Sequence, residues 1–140
     1  MVLVGDQVTA AALADLEDIE YTPYTVSTSG VTLGSGGYVS GRYKEVGRFV
    51  HAIVYFSFGS GGTIGATPYF SAPFTPAGDQ RFVGHAVYTI GSRYFGRLMQ
   101  SGSNILLLRD TESASAITST TPATWGSGSL IEGAFTFERS

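Results

Sequence analysis

The sequence predicts an all-β protein: an antiparallel β-sandwich, jelly-roll-like, of about eight strands, preceded by a short N-terminal α-helix. Three observations carry this prediction. Glycine makes up 19 of the 140 residues, about twice its average usage. Hydrophobic residues reach 43% while charged residues are held to 14%, against about 25% charged in an average domain. Apolar residues alternate along several runs separated by Gly/Ser turns, and only one segment has helical spacing. The length suits one domain with a real core.

The helical segment comes first. Thr9 is a plausible N-cap for AAALADLEDIE, in which Ala12, Leu13, Leu16 and Ile19 form one narrow apolar stripe. About three turns are marginal in isolation, and the acids crowd the C-terminal half, where the macrodipole disfavours them. Such a helix needs a surface to pack on, either its own domain or a larger partner. Residues 1–20 are therefore expected to form an attachment segment, with Leu13, Leu16 and Ile19 as its contacts, and 21–140 a β domain.

From Tyr21 the chain reads as strand. YTPYTVS carries Pro23, which confines it to an edge or a strand start. YVSGRYKEV and RFVHAIVYFSF flank Gly47 as a tight hairpin. ATPYFSA reads as a short strand and FTPAGD as a turn. In RFVGHAVYTIGS, residues Phe82, Ala86, Tyr88 and Ile90 are expected to share a face. RYFGRLMQSGSNILLLRD reads as two strands about a turn at 101–104. The final run sets Ile131, Phe135 and Phe137 against Glu132, Thr136 and Glu138. GSGG occurs at 34–37 and 59–62 and reads as turn composition, not duplication.

Composition excludes several functions. There is no cysteine, hence no disulfide and no thiolate metal site. No basic, apolar leader is expected at the start, and no apolar run is long enough for membrane insertion. Residues 1–41 hold five acids and no base, while the remainder holds six acids and eight bases without a basic run. Nucleic-acid binding needs a clustered basic patch and is not expected. His51 and His85 lie on separate strands and do not make a metal site. The glycines at 59–62 precede Thr63 and Ile64 instead of the lysine and hydroxyl of a phosphate loop. Nothing pairs the acids of the β region for glycoside hydrolysis. No enzyme and no cofactor is expected. Tyr21, Tyr24, Tyr38, Tyr69 and Trp125 fall at strand ends or in loops. Such rings bury at contacts more often than they stack on sugars, with Tyr69 and Trp125 the candidates for glycan contact.

Three motifs, in order, resemble a known group. VGDQVTAAALADLEDIEYTPYTV resembles the N-terminal stretch of short virion proteins of tailed phages. VTLGSGGYVSGRYKEVGRFVHAIVYFSFGSGG resembles their "LTLGNGT"-like loop, "GRY" strand and long strand. WGSGSLIEGAFTFE resembles their terminal "WGTGD" turn and closing strand. The resemblance covers nearly the whole chain. It implies a β-sandwich virion component (minor tail, fibre or capsid-surface protein), often trimeric, with other virion proteins as partners and no cofactor. A host-glycan-binding module is the alternative.

One strand poses a problem. A half-buried strand alternates apolar and polar residues, yet between 49 and 58 both faces are apolar, and 105–108 repeats the pattern. Monomers rarely expose large apolar patches, so Phe49, His51, Ile53, Tyr55, Leu106 and Leu108 are expected at a subunit interface, with a cyclic trimer consistent. The own-chain alternative is that the N-terminal helix folds back over that face.

Overall fold

A computed structural model describes residues 20–78, 81–111 and 115–140. The expected N-terminal helix, with Leu13, Leu16 and Ile19, lies outside the described residues. What is described is all-β and antiparallel, with nine strands: β1 (Thr22–Tyr24), β2 (Thr28–Thr32), β3 (Tyr38–Val46), β4 (Phe49–Ser57), β5 (Thr63–Ser71), β6 (Phe82–Ile90), β7 (Ser92–Ser101), β8 (Asn104–Arg109) and β9 (Leu130–Glu138). They form one hydrogen-bonded sheet in the order β1-β3-β4-β9-β6-β7-β8-β5-β2. The strand not anticipated is β2, whose TSGVT lacks a strong apolar alternation.

The first half of the sheet is one long hairpin folded over. It starts at Gly47 (φ 60°), a left-handed position that suits glycine in a two-residue turn. From Val46↔Phe49 the arms pair residue by residue to Tyr38↔Ser57. The same register continues through a bridge at Ser35↔Ser60 to Val31↔Ile64. The two GSGG segments therefore face each other at the corner where both arms bend. Their backbones bond reciprocally, Ser35 N–H to Ser60 C=O at 2.9 Å and Ser60 N–H to Ser35 C=O at 3.0 Å. A side chain does not fit there: a Cβ on Gly59 would collide with the Ser35 carbonyl, and one on Gly34 with that of Ser60.

The fold-over carries β5 and β2 to the far end of the sheet order, and the sheet curls to bring them back. In a flat sheet β9 and β5 would stand four spacings apart, about 19 Å. Instead the rings of Phe70 (β5) and Phe135 (β9) meet at 5.6 Å, and Phe70 meets Phe56 (β4) at 5.6 Å. The core lies inside this curl. Val50, Ala52, Val54 and Phe56 of β4, Ile131 and Phe135 of β9, and Leu98, Ile105 and Leu107 of β7 and β8 are all within 2% of complete burial. At about 25 cal/mol per Å² of apolar surface removed from water, this inner face dominates the stability.

Both sheet edges are short. β1 spans three residues and includes Pro23; β2 spans five, with an irregular register between Ser29 and Val31. Short, broken edges give a second chain little to pair with. The last strand does not lie at an edge. β9 fills the gap between β4 and β6, in register with both.

Two assignments need correction. Phe82 does not share a face with Ala86 and Tyr88. The register slips between Phe82 and Gly84, and a one-residue slip turns a side chain to the opposite face. Phe82 is 56% exposed. Trp125 does not line a surface loop. It is 4% exposed, its ring 5.1 Å from Phe58 and 5.6 Å from Tyr88, and its indole N–H donates to the Thr121 carbonyl at 3.3 Å.

Candidate functional site

The site follows from strand alternation. Side chains that do not enter the curl stand on its outer face, and cross-strand register sets them in rows. One row runs Arg42, Ile53, Ala134, His85, Arg97 across β3, β4, β9, β6 and β7. The next runs Ser40, Tyr55, Glu132, Val87, Phe95. The short side chain of Ala134, between Ile53 and His85, leaves a hollow between the rows. Four adjoining depressions share residues across this face, through His85, Ala134, Ile53 and Glu132 among others. They form a shallow trough over β4, β9, β6 and β7. Its middle, about 560 Å³, is bounded by Ile53, Val87, Phe95 and His85.

Among the described residues, the large apolar side chains that remain exposed are Tyr38, Val46, Phe49, Phe82 and Phe95. Every one of them stands on this outer face, as the register requires. Phe95 is the most exposed, at 73%. Single exposed apolar residues are ordinary, but five on one face are not, and two of them, Phe82 and Phe95, line the trough.

The polar groups of the face are partly tied. Arg97 Nε donates to Asp110 Oδ1 at 2.7 Å, and its guanidinium lies 5.5 Å from the Phe82 ring centre. His51 Nδ1 and Thr136 Oγ1 are 3.0 Å apart. Tyr38 and Tyr55 rings meet at 5.9 Å. Desolvation first, then the neighbouring Tyr38 and Glu132, raises the Tyr55 hydroxyl above its ordinary value. At the rim, Tyr21 lies beside His51 at 6.3 Å, under Lys44 at 4.4 Å and Arg42 at 5.0 Å.

The residues expected at an interface divide. Phe49, His51, Ile53 and Tyr55 all stand on the outer face; Phe49 is 60% exposed and the others half-buried. Leu106 joins that face opposite Met99 and is half-buried. Leu108 does not offer contact area. It is 4% exposed, beside a bridge to Ala116 of the same chain. Tyr69 is half-buried on β5, two strands beyond β7 and paired with Leu106, and the buried Trp125 offers no face to a sugar. Sequence reasoning missed Phe82, Phe95, Val87 and His85 as members of the face. A polar–apolar count along β6 and β7 contains them, but only the pairing with β9 shows that they adjoin Ile53.

Among the described residues, no group of three or more His, Cys, Asp or Glu is placed to hold a metal ion. The arrangement is that of a contact surface, with apolar patches, flanking charges and a shallow trough. No family model matches the chain, and no curated protein or solved structure matches it either.

Proposed function

We propose that this protein is a structural component of a tailed-phage virion, a trimeric β-rich knob on the capsid surface or tail, joined to the particle through its N-terminal segment. The observation that carries the self-assembly part is the outer face, which holds the large exposed apolar side chains of the described residues, Phe82 and Phe95 among them lining the trough. The virion assignment rests on the three sequence motifs and their order. The folded-over hairpin favours the jelly-roll-like form of the β-sandwich. Ile53, Tyr55 and Phe49 then pack against a neighbouring copy, with Leu106 at the margin. The role is one of assembly and not catalysis. The glycan-binding alternative loses its stacking residue in Trp125.

Sedimentation velocity of the full chain tests the assembly. A species of three chain masses is expected, and Ile53→Asp is expected to reduce it to monomer while the fluorescence of buried Trp125 stays unchanged. A wild-type chain that remains monomeric at high micromolar concentration would overturn the trimer. Quantitative mass spectrometry of particles tests the location. Hundreds of copies place it on the capsid lattice, a few tens or fewer in multiples of three on the tail or a vertex, and absence from particles rejects the virion reading.

A further inference from the structure

We propose that in the free chain residues 1–19 lie across the outer trough of their own β domain, and that the neighbouring copy displaces them on assembly. Only the second clause rests on the function proposed above.

Four observations point to this occupant. The first is where the described chain begins. Tyr21 sits on the outer face at the rim of the trough, held by Arg42, Lys44 and His51. The preceding residues therefore enter from the β1 edge, next to His51, which lines the trough. The second is length. A helix over 10–20, as the sequence predicts, spans about 16 Å at 1.5 Å per residue. The trough from β4 to β7 crosses three strand spacings, about 14 Å.

The third is chemistry. Leu13, Leu16 and Ile19 form a single apolar stripe, and the trough offers Ile53, Ala134, Val87 and Phe95 to receive it. The fourth is charge. Residues 1–20 carry five acids and no base. On the face, Arg42, Lys44, Arg93 and Arg97 stand against Asp110, Glu132 and Glu138; with the Arg97–Asp110 pair set aside, three bases remain against two acids. Tethering adds the last ingredient. A short linker raises the local concentration of the segment to about the millimolar range, so a weak contact suffices in the free chain and still yields to a tighter intersubunit one. The attachment segment and the subunit face thereby mask each other until assembly.

The absence of cysteine gives a clean test. Ala134→Cys places one thiol at the centre of the trough, at an exposed position; Ser127→Cys places one on an exposed loop as control. Each is made in the full chain, with the stripe intact or as Leu13→Ser, Leu16→Ser and Ile19→Ser together. Reaction with a thiol reagent is followed over a dilution series reaching the monomer, with Trp125 fluorescence reporting the fold. The expected result is a thiol at 134 that reacts about ten-fold more slowly with the stripe intact, at every dilution, as for a docking equilibrium of about 1.4 kcal/mol. The thiol at 127 is expected to react at one rate throughout. Equal rates at 134 in the dilute monomer overturn the proposal. Protection that appears only as concentration rises also overturns it, because a second copy is then the cover, and the trimer reading survives. Protection in a chain absent from particles leaves the docking standing and rejects only the virion reading.

Discussion

The two faces of β4 belong to the same nine residues and have opposite fates. Val50, Ala52, Val54 and Phe56 point into the curl and are 0–1% exposed. Phe49, His51, Ile53 and Tyr55 point outward, where Phe49 keeps 60% of its surface. Composition does not separate the faces, since each carries a phenylalanine and an aliphatic. What separates them is that the inner face meets β5 across the core while no second layer of strands covers the outer face among the described residues. Hydrophobicity places a residue in a strand; the partner across the gap decides what the residue does.

Substitutions should widen this contrast. Phe56→Ala removes a ring packed on Phe70 and is expected to cost about 3–5 kcal/mol, read as a lower urea midpoint. Gly59→Ala attacks the corner that turns the inner face back on itself. The added methyl meets backbone atoms of Ser35 and Gly37, which cannot swing aside, and a loss of about 1–3 kcal/mol is expected. Wild-type-like stability in that variant would show that the corner opens without cost.

Alkali should act mainly through the inner face, with the raised Tyr55 of the outer face acting in the same direction. Burial lifts the Tyr88 and Tyr24 hydroxyls well above their ordinary value; each donates to a carbonyl, of Leu108 at 2.8 Å and Ser71 at 3.0 Å. A tyrosine of the unfolded chain titrates near about 10. Above that pH the unfolded chain holds fewer protons than the folded one, so stability is whole below pH ~10 and falls as pH rises. The slope is about 1.4 kcal/mol per pH unit for fully buried Tyr88 and less for Tyr24. Urea midpoints at pH 8 and pH 11 measure it, and Tyr88→Phe should flatten most of the difference. Smallest of all is Phe49→Ala. On an exposed position outside the trough it should change monomer stability by about 0.5 kcal/mol or less, so a large loss there would mean that the cover proposed for the trough extends as far as Phe49.

Much of the fold was legible from local pattern. The hairpin at Gly47, the β7–β8 turn and the alternation of Ile131, Phe135 and Phe137 all follow from a period of two and from turn chemistry. The errors occur where a non-local contact overrides that pattern. Phe82 looked inward by strict alternation, but a slip against β7 turned it out. Trp125 looked like a loop aromatic because a Gly/Ser run, Gly126–Ser129, follows it, yet Phe58 and Tyr88 enclose it. Leu108 looked like surplus apolar surface, and its own chain left it no area to offer. The candidate site was half legible: β4 announced its second apolar face, whereas Phe95, Val87 and His85 gave no sign that they adjoined it.

By itself, then, the sequence determined most of the strand content, the main turns and, away from the slip at Phe82, which side chains of a strand share a face, because these depend on the chirality and period of the backbone over a few residues. Tertiary structure alone decided that the two GSGG segments meet as one corner, that β9 enters between β4 and β6, and that five exposed apolar side chains share the outer face. Alternation is the same whichever strand lies alongside, so the choice among neighbours falls to the packing of the closed core.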